Sequence, residues 1–332
     1  MPNNPITVAV LGFWHVHAAG YAARVQQHPD TELVAVWDDD PDRGRAAAEA
    51  VDAAFVDDLD TLLARDDIDA VTVTTATSAH RTIMLGAAQA GKHIFTEKLL
   101  APTVYEAEEI IDMADKAGVA LVVSLPRLHH GYTRAILGQL DERRLGELTF
   151  CRIRLSHDGA IAGWLPERFY DPKAAVGGAL SDLGCHPVYL MQLFLGALPA
   201  TVSATYASFT KQQVEDQAVV TLGYPDGAIG VVETGFLSSD PFTIELHGAS
   251  ASLAYESTDT LIRVRSTGAD NWQSLPVPQD DADVFSRWVT HIRDGTRADD
   301  NLARAVELTR LVSAANTAAA TGTTVRYLIG AA

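Results

Sequence analysis

Short β-branched runs alternate with helix-length segments through the first 124 residues, and this rhythm constrains the fold more than any other feature. Ile6-Thr7-Val8-Ala9-Val10-Leu11-Gly12 has the pattern of a buried parallel strand that stops at glycine. An alanine-rich stretch from about His17 to Gln27 is spaced for a helix. A second strand, Glu32 to Asp38, ends in an acid, and a second helix from Pro41 to Ala50 turns Arg43 and Arg45 outward. Further strands are expected at Asp69–Thr75, His93–Lys98 and Val119–Ser124, each separated from the next by helical sequence. Parallel neighbours need a crossover long enough to hold a helix, so the alternation predicts a doubly wound α/β domain.

Such sheets hold ligands outside the carboxyl ends of their strands. Gly12, Asp38, Thr74, Thr75 and Lys98 all fall at those ends. The turn after the first strand reads Gly12-Phe13-Trp14-His15-Val16-His17, so a G-x-G-x-x-G fingerprint keeps only its first glycine. Trp14 stands where a second glycine would admit pyrophosphate; its amide serves only if the indole points away. His15 and His17 flank the same turn. Asp38 is placed to accept hydrogen bonds from a ribose, and its charge repels a 2′-phosphate, which favours NAD over NADP. Asp39 and Asp40 add to that repulsion and Arg43 partly offsets it.

From about Glu147 the pattern becomes strand-rich: Leu148–Leu155, Ala200–Phe209, Gln217–Tyr224, Ala228–Phe236 and Thr243–His247. Turn-length gaps, such as Tyr224-Pro225-Asp226-Gly227, imply antiparallel pairing. A final helix is expected from about Asn301 to Thr321. The chain thus reads as two domains, 1–126 and 127–332, the second an α/β domain on a large sheet. A net charge of −18 opposes nucleic-acid partners. No apolar run approaches the roughly 20 residues that cross a bilayer. Met1-Pro2-Asn3-Asn4-Pro5 lacks the basic patch and apolar stretch of a secretory signal. With two cysteines, Cys151 and Cys185, a disulfide framework is not expected and a reducing cytoplasm fits.

The most specific segment is Gly177-Gly178-Ala179-Leu180-Ser181-Asp182-Leu183-Gly184-Cys185-His186. Together with the first-strand glycine, Asp38, Thr74-Thr75-Ala76-Thr77-Ser78-Ala79-His80 and Glu97-Lys98, it resembles the glucose–fructose oxidoreductase / inositol dehydrogenase family, the Gfo/Idh/MocA group. The resemblance runs over nearly the whole chain. It implies an N-terminal Rossmann domain and a C-terminal domain on an open, mainly antiparallel sheet whose face mediates homodimers or homotetramers. It implies cofactor contacts at Gly12, Phe13, Trp14, His15, Asp38, Thr74, Thr75, Thr77, His80, Glu97 and Lys98. Lys98 would lie near nicotinamide and substrate hydroxyl; Asp182 and His186 would be the substrate-binding acid and the proton-transfer histidine. Leu99 departs from the family's Glu-Lys-Pro element.

Those groups suit hydride transfer from a hydroxyl-bearing carbon, which needs a proton acceptor and positive charge or donors for the alkoxide. His186 falls near a helix start, where the helix dipole favours neutral imidazole. Lys98 follows an apolar strand, and desolvation lowers a lysine pKa. Each residue also has a structural role open to it: an ion pair to Glu97 for Lys98, an N-cap for Asp182, a buried satisfied ring for His186. Arg127, His157 and Trp164 are expected to line the substrate pocket, or alternatively to form an interdomain ion pair and a solvated loop. His129-His130 point opposite ways in an extended segment, so no metal is expected. Cys185 neighbours His186 without nucleophile geometry. The expected activity is an NAD-dependent dehydrogenase of a small sugar, cyclic polyol or related compound. Two alternatives are an NAD-retaining lyase or glycosidase that oxidises transiently, and a non-catalytic dinucleotide or sugar sensor.

Overall fold

The computed structural model describes residues 4–196, 198–239 and 241–326. The chain forms two compact units, Met1–Leu125 with Ala282–Thr309, and Pro126–Asp281 with Arg310–Ala332. In the first, β1 (Ile6–Leu11), α1 (Ala18–Gln27), β2 (Thr31–Trp37), α2 (Pro41–Ala50), β3 (Ala54–Phe55), α3 (Leu59–Leu63) and β4 (Ala70–Val73) come first. They are followed by α4 (His80–Gln89), β5 (His93–Thr96), α5 (Val104–Ala117) and β6 (Leu121–Val123). All six strands run parallel in the order β3-β2-β1-β4-β5-β6, as the alternation predicts. The two-residue edge strand β3 is too short to leave a periodic signal.

Local chemistry sets the helix ends. Asp40 caps α2, accepting from the amides of Asp42 and Arg43, and Pro41 opens it. Thr103 and Glu106 form a reciprocal capping box on α5, which closes on left-handed Gly118. One face of the sheet packs Ile6, Val8, Phe95 and Val122 against Tyr21 and Val25 of α1 and against Phe285 and Trp288. The last two come from a helix at Val284–Asp294. Burying Phe285 and Trp288 against Phe95, with centroids 5.5 and 5.7 Å away, brings 282–309 back to the first unit. A single cut at 126 therefore does not describe the chain's compact units.

The second unit carries α6 (Gly131–Asp141), β7 (Leu148–Ser156), α7 (Gly159–Ala162), α8 (Cys185–Leu195), β8 (Thr201–Ala207), β9 (Gln217–Gly223) and β10 (Ile229–Gly235). Then come β11 (Thr243–Gly248), β12 (Ala251–Glu256), β13 (Leu261–Ser266), β14 (Gln273–Pro276) and β15 (Val325–Arg326). Nine strands pair in the order β14-β13-β12-β11-β7-β10-β9-β8-β15. Pairing is antiparallel except between β7 and β10, which run parallel because the long segment carrying α7 and α8 separates them. The strands expected between 148 and 247 all form. β12–β14 escape the sequence pattern, although β12 and β13 alternate inward and outward residues once the sheet is seen.

Candidate active site

In the first unit, strand order reverses between β1 and β4, the place where sheets of this kind bind ligands. Gly12 follows β1 with φ +90°. A Cβ there would stand 2.9 Å from both Cα and N of Thr75, so only glycine lets the two strand ends approach. The Thr74 amide donates to Leu11 O at 2.9 Å, and its hydroxyl donates to the Gly12 carbonyl. Thr75 Oγ1 is buried with no partner among the described residues. An orphaned hydroxyl at this edge fits a polar ligand such as a dinucleotide. Thr77 is buried in the turn that precedes α4.

The turn after Gly12 is braced from within. Phe13 N–H donates to Asp38 Oδ2 at 2.5 Å and His15 N–H to Thr74 O at 3.0 Å, while Trp14 is buried. The amides of Phe13 and His15, two residues expected at the cofactor, thus hold the loop to the ends of β2 and β4. Asp38 is 2% exposed and collects further donors. Asp40 N–H reaches Oδ1 at 2.8 Å, and Arg43 grips both oxygens, Nε at 3.0 Å and Nη2 at 2.5 Å. Nη2 also reaches Asp39 at 2.7 Å. Helical spacing turns Arg43 outward; the structure turns it inward, because a buried carboxylate needs a paired cation.

Around β5 the polar groups are denser. Glu97 is 2% exposed and Lys98 4%. Glu97 Oε1 accepts from Tyr21 Oη at 2.6 Å and pairs with His17 Nδ1 at 2.9 Å; Oε2 accepts the Lys98 amide at 3.0 Å. Burial works to raise this carboxyl, but His15, the His17 hydrogen bond and Lys98 outweigh it and hold it well below the ordinary carboxylate range. Lys98 Nζ lies 3.4 Å from His15 Nε2. Lys98 therefore meets an imidazole through its side chain and Glu97 through its main-chain amide. The peptide from Lys98 to Leu99 is cis.

His80, expected at the cofactor, directs Nδ1 to the carbonyls of Leu99 and Leu100 at 3.0 and 3.2 Å. Burial lowers its pKa, so the neutral ring clamps the chain just beyond Lys98. His15, His17 and Glu97 bring one ligand atom each within 4.8 Å of the others. The lysine beside His15 opposes a divalent cation there, since like charges at that range repel strongly.

In the second unit, the Gly-Gly segment leads into a π-helical turn at Leu180–Gly184 and then α8, with His186 its second residue. The helix start near His186 is as the sequence predicts. Gly178 N and Leu180 N both donate to Glu215 Oε1 at 3.0 Å, and Ala179 N donates to Glu215 O at 2.9 Å. A Cβ on Gly178 would stand 2.1 Å from that same carbonyl oxygen. Gly184 lies against Thr234 of β10, where a Cβ would be 2.7 Å from Thr234 Cγ2. The glycines of the motif thus seat it on the sheet, leaving Asp182 half-buried and His186 7% exposed.

His186 Nδ1 lies 2.9 Å from the hydroxyl of Tyr189. His157 stacks on Phe236 at 4.8 Å and lies 4.6 Å from Trp164, whose Nε1 donates to Asp158 at 3.0 Å. Trp164 is 51% exposed, so it offers an open aromatic face. Arg127 lies over Phe242 at 4.4 Å and donates to Tyr132 Oη at 3.3 Å. Its cation is held among aromatic rings of its own unit. Sequence reasoning misses Tyr21, Glu215 and Tyr189. Only Tyr189 leaves a signal, being three residues beyond His186 on a helix.

A buried lysine and carboxylate follow β5 in the first unit, and an acid and a histidine lie at the start of α8 in the second. The profile of an oxidoreductase family with an NAD-binding Rossmann fold matches residues 6–125, and that of the GFO/IDH/MocA C-terminal domain matches 133–254. The chain belongs to the GFO/IDH/MocA oxidoreductase family. One relative is a dTDP-3,4-didehydro-2,6-dideoxy-alpha-D-glucose 3-reductase of Actinomadura kijaniata, 32% identical over 195 residues, 58% of this chain and 57% of that one. Another is a D-glucoside 3-dehydrogenase of Escherichia coli (strain K12), 30% identical over 261 residues, 71% of this chain and 72% of the relative. Among solved structures, a 3-ketoreductase from Actinomadura kijaniata in complex with NADP and TDP-benzene superposes with a TM-score of 0.85. It is 24% identical, covering 95% of this chain and 98% of its own, and establishes the shared fold of this GFO/IDH/MocA member. No helix among the described residues is long and apolar enough to cross a membrane.

Proposed function

We propose that this family member is an NAD-dependent oxidoreductase that moves a hydride between nicotinamide and a hydroxyl-bearing carbon of a small sugar, cyclic polyol or related compound. The observation that carries the proposal is a buried lysine, Lys98, braced by Glu97 and next to His15 at the end of a Rossmann strand. A bound nicotinamide supplies the hydride acceptor or donor. Lys98 of the first unit and His186 of the second are each suited to move a hydroxyl proton and to hold charge on a reacting oxygen. Asp182, half-buried beside the start of α8, positions a substrate hydroxyl. The names of both relatives place their chemistry at carbon 3 of a sugar, which supports a ring carbon as the target here.

The first unit binds the dinucleotide through Gly12, Phe13, Trp14, His15, Asp38, Thr74, Thr75 and Thr77, and the second binds substrate with help from Arg127, His157 and Trp164. NAD is preferred, because three consecutive acids follow β2 against one guanidinium, Arg43. The enzyme works in the cytoplasm as a homodimer or homotetramer. Titrating the purified protein with NAD and NADP, then screening polyols and glycosides for reduced-nicotinamide absorbance, tests the whole proposal. Binding of neither dinucleotide would sink it, and turnover without net release of reduced cofactor would favour the lyase route.

A further inference from the structure

On α8, Tyr189 is a buried polar group that the proposed chemistry has not used. Tyr189 follows His186 by three residues, so its ring lies one turn along the same face. It is fully buried. Its oxygen is 2.9 Å from His186 Nδ1 and accepts the main-chain N–H of Arg127 at 3.1 Å. Burial pushes the phenol well above its usual value, and the positive charge of Arg127 opposes this only in part, so the hydroxyl keeps its proton.

A phenol has one proton to give and can accept two hydrogen bonds. The Arg127 amide can only donate, so it takes a lone pair. Were Nδ1 also protonated, two N–H groups would point at one oxygen and the phenolic proton would be buried with no acceptor among the described residues. Folded proteins rarely leave such a proton unpaired. The arrangement that satisfies every group has Tyr189 donating to Nδ1. A neutral ring that accepts at Nδ1 carries its own proton at Nε2.

We propose that Tyr189 is a positioning residue that fixes His186 as the Nε2–H tautomer, so that the ring meets a substrate oxygen as a hydrogen-bond donor. The inference rests on the reading that His186 acts on substrate, and it divides the labour within that reading. His186 steadies charge on the reacting oxygen, as a neutral imidazole does when it acts as an electrophile. Transfer of the hydroxyl proton is then left to a group other than His186.

The test uses full-length protein labelled with ¹⁵N-histidine and saturated with NAD, with His186→Gln to assign the ring signals. Two-bond ¹H–¹⁵N spectra of the wild type near neutral pH should show His186 with Nε2 protonated and Nδ1 bare. Tyr189→Phe should move the ring toward a mixture of tautomers and lower kcat about tenfold, the scale of one lost orienting contact. NAD affinity should stay within about twofold. Protonated Nδ1 in the wild type overturns the proposal even if the phenylalanine variant fails to fold. An unchanged ring spectrum in that variant overturns it equally. Full turnover by His186→Gln would instead defeat the underlying assignment of His186 while leaving the tautomer result intact.

Discussion

Tyr21 gives its hydroxyl proton to Glu97 across 2.6 Å, in the interior of the first unit. Because that proton is committed, the Ser124 hydroxyl at 2.5 Å from Tyr21 Oη must donate to it. A serine after β6, a tyrosine on α1 and a carboxylate after β5 therefore form one directed chain behind Lys98. The carboxylate stays charged only because cationic and hydrogen-bonding neighbours overcome its burial.

Breaking this chain should cost stability with a defined pH dependence. Tyr21→Phe leaves Ser124 and Glu97 short of a partner and should lower unfolding free energy by about 1–3 kcal/mol. Glu97 has a folded pKa below its unfolded value, so its contribution is present above about pH 4.5 and drains away as pH falls through the lower folded value. Melting curves of wild type and Glu97→Gln should differ most near neutrality and draw together in acid. A constant gap across that range contradicts the assignment.

Arg43 and Asp38 should divide cofactor selectivity. Arg43→Ala removes the cation that neutralises Asp38 and Asp39, so NADP affinity should fall by about tenfold, the effect of removing one charge-assisted contact. NAD, with no 2′-phosphate, should bind nearly as before. Asp38→Ala frees the Phe13 and Asp40 amides, which should weaken NAD, and removes the charge that repels a 2′-phosphate, which should narrow the gap between NAD and NADP. Fluorescence titration of each variant with each cofactor reads the pattern.

His186→Ala should reduce turnover by about 10²–10⁴-fold, the usual span for a positioned acid–base or donor group. NAD binding should persist, since its proposed contacts lie in the first unit. Steady-state rates alongside direct binding measurements separate the two effects. Wild-type turnover in this variant is incompatible with the proposed role.

Gly178→Ala tests why the motif needs glycine. The added carbon would meet the Glu215 carbonyl at 2.1 Å, and neither backbone can yield without losing the three hydrogen bonds that seat the segment. A loss of about 1–3 kcal/mol in urea unfolding is expected from such overpacking. Glu215→Gln keeps the shape and an acceptor oxygen and should cost less.

Strand–helix alternation made the first sheet legible because each β-branched run and each amphipathic helix writes its own period into neighbouring residues. The Gly-Gly-to-histidine segment was legible for a similar reason, since it is continuous in the chain. Arg43 was misjudged because helical spacing says which face a residue occupies but not whether a buried carboxylate waits beside it. Glu215 was invisible, being 37 positions from Gly178 in sequence and joined to it only by hydrogen bonds. β12–β14 were missed because their alternation is short and becomes meaningful only once β11 supplies a partner.

The sequence by itself determined the parallel sheet and the family, and named the side chains proposed here as reactive, because these readings depend on local periodicity and contiguous motifs. Only the tertiary structure decided what those side chains are bonded to: that Phe285 and Trp288 close the first core from far along the chain, that Glu97 is charged although buried, and that a tyrosine hydroxyl faces the histidine. Charge state and tautomer follow from desolvation and from donors brought close by folding, and neither quantity has a period that a sequence can display.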